Sequence, residues 1–299
     1  MEENTLIWIG NTFFYIFLFF ILFFISKQLF LNRFKKIDVN NELTTKDNVA
    51  FSILTTGYYA GILIIFLGVI QGDSYGYLID TFLVIIYGII GNLLLLVSSV
   101  INEKIVFTKK FSLFKEIVRD ENRGAGAIEF ANFIGSSLII YGAITGKSTN
   151  FFPELSNIGL FISGLISLIV FWSIGQFILL VFFKIYPSFS KYEIFKQIEK
   201  DNNAVGVVYA SIFISIAFLY AQAIKGDIIS WLLTIENIVY YLGLGFILLP
   251  ISRWVVDKII LPKSDLTHEI VHQEIPNQGA AFIEAFAYIG SAVLISFCI

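Results

Sequence analysis

The sequence predicts an all-α integral membrane protein. Its eight transmembrane helices form four parallel two-helix repeats, in two four-helix modules, with amphipathic cytoplasmic segments between them. Three observations predict this fold class: the composition, the distribution of basic residues and a recurring helix-start motif. The 299 residues are 57% hydrophobic and only 14% charged, whereas soluble proteins are about 45–50% apolar and about 25% charged. Because polar surface is scarce and Cys298 is the single cysteine, soluble enzymes and secreted disulfide scaffolds are excluded.

Eight apolar blocks are each long enough to cross a hydrocarbon core of about 30 Å at about 1.5 Å per residue. Backbone groups in hydrocarbon must hydrogen-bond within their own segment, and blocks of this length suit helices rather than barrel strands. The predicted spans are residues 6–31, 49–70, 78–101, 124–144, 158–183, 204–224, 228–256 and 278–299.

The basic residues predict the orientation of these spans. Eighteen of the 20 Lys and Arg residues lie in or beside the first, third, fifth and seventh loops, and only Lys147 and Lys225 lie in the others. Short loops enriched in Lys and Arg remain in the cytoplasm. Both termini are therefore predicted on the non-cytoplasmic side of the membrane.

A helix-start motif indicates that a two-helix unit occurs four times. Its residues are Asp47, Asn48, Asp120, Asn122, Asp201, Asn202 and Asn277. Asn or Asp at a helix start bonds the exposed backbone N–H groups. Small residues on one face let membrane helices approach closely, and those predicted to do so are Gly57, Gly61, Gly135, Ser215 and Gly290. Fixed-period similarity of this kind indicates internal duplication, and two spans per unit make the repeats parallel.

These features resemble a bacterial inner-membrane family known as domain of unknown function 350, or YjfL-like. The resemblance rests on the basic lead-in, the Asp47-Asn48 type of helix start, the small-residue face and the four-span period. Its members are typically one four-span module, so the resemblance implies two modules fused in tandem, residues 1–147 and 148–299. It also implies a location in the bacterial inner membrane and a cytoplasmic partner of the membrane-stress type, but no settled activity.

Two intramembrane carboxylates are the candidate functional groups. Seven residues after the helix-start asparagine, the second and fourth repeats carry Glu129 and Glu284, which places both about 10 Å into their helices. Ionisable residues within membrane spans usually face the bundle interior or water and serve function. We expect Glu129 and Glu284 to form a symmetric pair that binds a proton, a cation or a substrate amine, with the nearby Asn132 as part of the site. The alternative is that the carboxylates accept hydrogen bonds from neighbouring helices or reach the interface.

A histidine pair in the last basic loop matches the pattern of zinc metalloproteases. His268 and His272 are spaced to bind one Zn²⁺, with Glu269 as general base. However, residues 115–119 and 196–200 occupy the same place in other repeats and have basic residues at both histidine positions. The repeat therefore favours coincidence, and we expect neither metal, cofactor nor catalysis.

The basic loops are predicted to form interfacial helices, with cations at anionic lipid headgroups and aromatic side chains in the acyl boundary. The aromatic residues expected there are Phe111, Phe114, Tyr192 and Phe195. The favoured function is a channel or transporter for a small solute or ion. The alternatives are a structural anchor that recruits a membrane-stress partner or anionic lipid through Lys109, Lys110, Lys115 and Arg119, and a zinc hydrolase. Besides the lipid bilayer, a second copy of the chain is an open partner, whereas a net charge of −3 argues against nucleic acid.

Overall fold

The structure is a computed structural model. The residues that it describes are 2–71, 76–105, 112, 114–146 and 151–299. Outside them lie Lys109, Lys110, Phe111, Lys147 and the predicted module boundary at residues 147 and 148.

Eight helices in the described part of the chain are long and apolar enough to cross a membrane, which confirms the fold class. They are α1 (Glu2–Arg33), α2 (Val49–Ile70), α3 (Tyr77–Ile105), α4 (Arg123–Ile144), α5 (Ser156–Phe189), α6 (Asn203–Ile224), α7 (Trp231–Val255) and α8 (Gln278–Cys298). The predicted span 49–70 coincides with α2, and the predicted bounds of α4, α6, α7 and α8 agree within three residues, whereas α1, α3 and α5 are longer than predicted. Each repeat is a hairpin of an odd-numbered helix followed by an even-numbered one.

Each even-numbered helix begins at an asparagine that caps it. The side-chain oxygen of Asn48 accepts a hydrogen bond from the Phe51 backbone N at 2.9 Å, and Asn122, Asn202 and Asn277 make the same bond. Such a cap contributes about 1 kcal/mol to helix stability. The four helices are parallel neighbours, so their caps lie on one side of the molecule, which we call the capped side.

The acidic residues of the motif have a different role from the asparagines. Asp47, Glu121 and Asp201 each precede a cap and have φ values of 51°, 54° and 60°. This left-handed conformation turns the chain into the helix, and Asp is among the residues that tolerate it best. Asp120 lies one residue earlier, where its Oδ2 atom is 3.2 Å from Lys115 Nζ.

The capped helices α2, α4, α6 and α8 pack side by side in that order and form the inner row of the bundle. A Cβ atom added to Gly126 of α4 would lie 2.6 Å from the Ala50 carbonyl oxygen of α2. One added to Gly206 of α6 would lie 2.4 Å from the Gly124 Cα atom of α4. Small residues therefore bring the helix backbones into contact, both within the first module and across the two modules. The outer helices α1, α3, α5 and α7 cover the row and expose large apolar side chains such as Phe17.

The predicted packing residues divide into two groups. Those buried in the inner row are Gly57, Gly61, Gly135 and Ser215. A Cβ added to Gly57, for example, would lie 2.7 Å from the Phe130 Cα atom. Gly290 differs, because an added Cβ would meet only Phe286 of its own helix, no closer than 3.8 Å. The described residues thus do not provide the helix contact expected at Gly290.

A short helical segment precedes each capped helix, and we call these four the lead-in segments. They are Asn41–Thr45, Phe114–Arg119, Ile194–Glu199 and His268–His272. Their isoleucines Ile117, Ile198 and Ile270 are fully buried. One reason is that a cap reaches the next segment, since Asn122 Nδ2 donates to the Ile198 carbonyl at 2.6 Å. The segments are thus single turns docked on the inner row, shorter and more buried than the interfacial helices expected from the sequence.

Candidate functional site

The carboxyl group of Glu129 lies inside the bundle and is fully buried. It accepts hydrogen bonds from three neutral side chains. Ser99 Oγ donates to Oε1, Asn102 Nδ2 donates to Oε2 at 2.6 Å, and Asn132 Nδ2 lies 3.5 Å from Oε2. Ser99 and Asn102 belong to α3, and Asn132 lies one turn further along α4. Two helices of the same repeat therefore build the site.

The cation that acts on this carboxylate does so from outside its hydrogen-bonded shell. Arg33, at the end of α1, interacts electrostatically with Glu129. Its guanidinium, however, is already paired with Glu103, with 2.5 Å between Nη2 and Oε2. Within the described part of the chain, Glu129 is therefore surrounded by neutral donors, and no cation there is in direct contact with its charge.

A small cavity with both polar and apolar lining residues adjoins the Glu129 site. Its volume is about 10 Å³, enough for roughly one water-sized group. It is lined by Ser98, Ile101, Asn102, Asn132, Gln176, Leu179, Leu180, Phe183 and Phe213. Asn102 and Asn132 are thus shared between the cavity and the carboxylate. The Oδ1 atom of Asn102 is buried without a hydrogen-bond partner among the described residues, so an acceptor remains for a small guest.

The environment of Glu284 is different, although this carboxylate is also fully buried. Its Oε1 atom forms an ion pair with Arg253 of α7 and accepts a hydrogen bond from Tyr288 at 3.0 Å. Arg253 also donates to Thr267 Oγ1 at 3.0 Å. Outside the spans, burial raises the pKa of the Tyr192 phenol, and the negative charge of Glu284 adds to this effect. The cluster is a charge-compensated pair near the capped side.

The structure brings Asn132 to Glu129 but does not join Glu129 to Glu284. The two carboxylates lie on α4 and α8, and α6 packs between these helices in the inner row. Their hydrogen-bond partners also share no residue. The expected symmetric pair is therefore two separate sites with different chemistry.

The His268–His272 segment has a structural explanation in the repeat. Both histidines are exposed, with ring centroids 6.4 Å apart. Glu269 Oε2 accepts hydrogen bonds from Gln273 Nε2 at 2.6 Å and from the cap Asn277 at 2.8 Å. The described residues contain no group of three or more His, Cys, Asp or Glu side chains placed to hold a metal ion.

The same cap contact occurs in the other repeats. Asn48 donates to Glu42 Oε2 at 2.9 Å, and Asn122 donates to Glu116 Oε2 at 3.1 Å. Glu269 occupies the corresponding position, so it serves as the hydrogen-bond acceptor of a helix cap. The match to the metalloprotease pattern thus coincides with a structural position of the repeat.

Sequence reasoning missed two of the three donors to Glu129. Ser99 and Asn102 are three residues apart on α3, so they share one face of a strongly apolar span. That spacing was the available signal. A further signal is that Ser99 and Arg253 both lie five residues before the lysine of a repeated Lys-Ile pair, at Lys104 and Lys258.

The model of the family described as Domain of Unknown Function (DUF350) matches residues 3–144 and 160–299, in tandem. A relative from Aquifex aeolicus (strain VF5), named UPF0719 transmembrane protein, is 25% identical over 283 residues, which cover 94% of this chain and 97% of the relative. No solved structure matches the chain.

Proposed function

The chain belongs to the DUF350 family, whose description assigns no activity, and we propose that this transmembrane protein binds a proton or a small monovalent cation at Glu129 and passes it across the membrane. The observation that carries the proposal is the fully buried Glu129 carboxylate, whose direct partners are the neutral Ser99, Asn102 and Asn132.

The electrostatics of this site favour a positively charged guest. An isolated ionised carboxylate is costly in a low-dielectric interior unless it is protonated, paired with a cation or bound to a metal ion. Hydrogen bonds from neutral donors offset only part of this cost. Binding a proton or a cation removes the uncompensated charge, so the site has an intrinsic affinity for either.

The size of the site and its few oxygen ligands favour a small bound ion. The cavity of about 10 Å³ has no room for an organic amine. A cation bound between this cavity and Glu129 would have the Glu129 carboxylate and the free Asn102 Oδ1 atom as oxygen ligands, because Asn102 both lines the cavity and contacts the carboxylate. Divalent cations usually take six or more oxygen ligands, so a proton or a monovalent ion fits better.

Glu284 does not enter this proposal as a second ion site. Arg253 already supplies the positive charge that the Glu284 carboxylate requires. A mobile cation would have to displace a tethered guanidinium with its own hydrogen bond to Thr267. We therefore assign the ion-dependent step to the second repeat alone.

Flux measurements in proteoliposomes test the proposal. Vesicles loaded with pyranine report proton entry, and a sodium-sensitive dye reports Na⁺ entry. We expect the unaltered protein to relax one of these two gradients, and Glu129→Gln to reduce that flux at least tenfold. The matched control is Glu236→Gln, which makes the same change at an exposed glutamate of α7. Flux that persists in Glu129→Gln, or an unaltered protein that relaxes neither gradient, would overturn the proposal.

The protein's location and orientation are part of this proposal. We infer that it lies in a bacterial inner membrane with the capped side in the cytoplasm and both termini outside. The support is the charge asymmetry, with 18 of the 20 Lys and Arg residues in or beside the loops of the capped side. Labelling of single cysteines placed in each loop would contradict this orientation if any loop of the capped side reacted from outside.

The alternative function, an anchor for anionic lipid or a membrane-stress partner, has weaker support. Lys115 is close to both Glu116 and Asp120, and hydrogen bonds to these carboxylates raise its pKa. Lys196 and Lys258 are similarly paired with Glu193 and Asp257. Local pairing of these cations leaves less free charge to attract an acidic surface. Arg119 is more loosely paired, with 3.9 Å between its Nε atom and Asp120 Oδ1, and its side chain is 77% exposed, so it is the better candidate for such a contact.

A further inference from the structure

The three junctions between consecutive repeats share one hydrogen bond. In each, the amide nitrogen of a cap asparagine donates to an isoleucine carbonyl in the lead-in segment of the following repeat. The pairs are Asn48 with Ile117 at 2.9 Å, Asn122 with Ile198 at 2.6 Å, and Asn202 with Ile270 at 2.9 Å. Asn277 Nδ2 donates to Glu269 of its own repeat, and no such carbonyl from a following repeat reaches it among the described residues.

The helix contacts at the first two of these junctions also repeat position by position. Gly61 lies 13 residues after the cap of α2, and it faces the residues that lie 11 and 15 positions after the cap of α4. A Cβ added to Gly61 would lie 3.4 Å from the Ser137 Cβ atom. Likewise, Gly135 lies 13 residues after the cap of α4 and faces positions 11 and 15 after the cap of α6. A Cβ added to Gly135 would lie 3.0 Å from the Ala217 Cβ atom. We call the surface that carries position 13 the forward face of a capped helix. The surface that carries positions 11 and 15 is its rear face.

The two ends of the inner row leave one face of each kind at least partly uncovered by described residues. On the forward face of α8, an added Cβ at Gly290 meets no neighbouring helix, and Phe286 and Phe297 are 71% and 85% exposed. On the rear face of α2, Leu63 at position 15 is 43% exposed, whereas Tyr59 at position 11 is half-buried against Phe23 of α1. The uncovered parts of these faces are therefore complementary halves of the contact that Gly61 and Gly135 make inside the chain.

A groove beside α8 corresponds to the place where an outer helix packs at an internal junction. Between α3 and α4, helix α5 of the following repeat packs against Ser136 and Ile139, and Gln176 Nε2 donates to Ser136 Oγ at 2.9 Å. The corresponding residues of α8, counted from the cap, are Ser291 and Leu294. They line an apolar groove of about 360 Å³ between α7 and α8, so the place of a following outer helix is vacant.

We infer that a second copy of this chain occupies these surfaces in a head-to-tail arrangement. The rear face of its α2 covers Gly290, its α1 enters the groove between α7 and α8, and Asn277 donates to its Leu43 carbonyl. Leu43 lies five residues before Asn48, as Ile117 lies five residues before Asn122. Such a heterologous contact generates a closed ring or an open row of copies. The inference rests on helix packing and is independent of ion flux at Glu129.

Cross-linking between two differently tagged copies tests this register. In a Cys298→Ser background, one copy carries Gly290→Cys and the other carries Leu63→Cys, and both are co-expressed and oxidised in native membranes. We expect a disulfide-linked dimer that contains both tags. The matched control is the intramolecular pair Gly61→Cys and Ser137→Cys, which joins the same two positions across the α2–α4 junction.

Two results would overturn the inference. One is the absence of the mixed dimer when the intramolecular control pair forms. The other is a dimer of equal yield from Gly290→Cys alone, because that would indicate a symmetric contact between two α8 helices.

Oligomer mass provides a second measurement that does not depend on cysteine chemistry. Gly290→Trp fills the forward face of α8, and we expect it to convert an oligomer in mild detergent to single chains. Gly243→Trp is the control, because an added Cβ at Gly243 meets nothing within 4 Å. An oligomer that survives Gly290→Trp, or single chains for the unaltered protein both in detergent and in nanodiscs, would overturn the inference.

Discussion

Glu129 and Glu284 occupy the same position of two repeats, seven residues after a cap asparagine, and both are fully buried. Their partners nevertheless differ in charge. The outer helix α3 offers Glu129 the hydroxyl of Ser99, whereas α7 offers Glu284 the guanidinium of Arg253. Both partners lie five residues before the lysine of the repeated Lys-Ile pair. One residue of the outer helix thus decides whether the carboxylate is compensated within the protein.

This difference shows that equivalent positions in duplicated repeats can have different electrostatic roles. The capped helix fixes how deep the carboxylate lies, because the cap and the helix rise set the distance from the capped side. The outer helix fixes its electrostatic state. The remaining repeats have the uncharged Thr55 and Tyr209 at the carboxylate position. They therefore need neither a set of neutral donors nor a paired arginine for a buried charge.

The largest effect is expected from removing the partner of Glu284. Arg253→Ala leaves a fully buried carboxylate unpaired, and breaking a buried pair in this way costs about 3–5 kcal/mol. SDS-induced unfolding in mixed micelles measures the change in unfolding free energy. Arg253→Ala combined with Glu284→Ala should recover part of the loss. If the single and double variants are equally unstable, the ion pair is not what stabilises this region.

Replacing each carboxylate by glutamine should distinguish the two sites by the change in unfolding free energy. Glu284→Gln leaves the Arg253 guanidinium, whose side chain is only 24% exposed, without its counterion, and we expect a loss of about 2–4 kcal/mol in unfolding free energy. Glu129→Gln removes an uncompensated charge and keeps a hydrogen-bonding side chain, so its unfolding free energy should change by less than about 1 kcal/mol. Equal losses in the same assay would mean that the sites are electrostatically alike.

Smaller effects than at the Glu284 ion pair are expected from the amides around Glu129. Asn102→Ala removes a donor at 2.6 Å from a buried carboxylate and should cost about 1–3 kcal/mol. Asn132→Ala removes a contact of 3.5 Å, which is at the limit of a hydrogen bond, and should cost less than about 1 kcal/mol. Unfolding curves of the two variants, compared side by side, check this order. A larger loss in Asn132→Ala would contradict the assignment of Asn102 as the main donor.

Local chemistry explains what could be predicted. The bounds of α2 follow from the apolar run between Asn48 and Gln71 and from the capping preference of asparagine, both of which are readable along the chain. The depth and burial of Glu129 follow from its place in an apolar helix. The role of Glu269 as a cap acceptor follows from the repeat, which placed residues 268–272 in register with the earlier lead-in segments.

Contacts between distant segments explain what could not be predicted. The docking of the lead-in segments depends on hydrogen bonds such as that from Asn122 to Ile198, 76 residues apart. The spacing of the inner row depends on close approaches such as that of Gly206 to Gly124, and a glycine in sequence does not reveal which helix will face it. The same holds for Gly290, whose expected helix contact is not made by any of the residues that the structure describes.

The sequence by itself determined that this chain spans a membrane eight times in four like hairpins, because hydrophobic length, charge and caps act on each segment separately. Only the tertiary structure decided that α6 separates the two buried carboxylates and that α3 and α7 give them different partners. The physical reason is that a buried charge is stabilised or left uncompensated by atoms within a few ångströms, and helix packing alone selects those atoms.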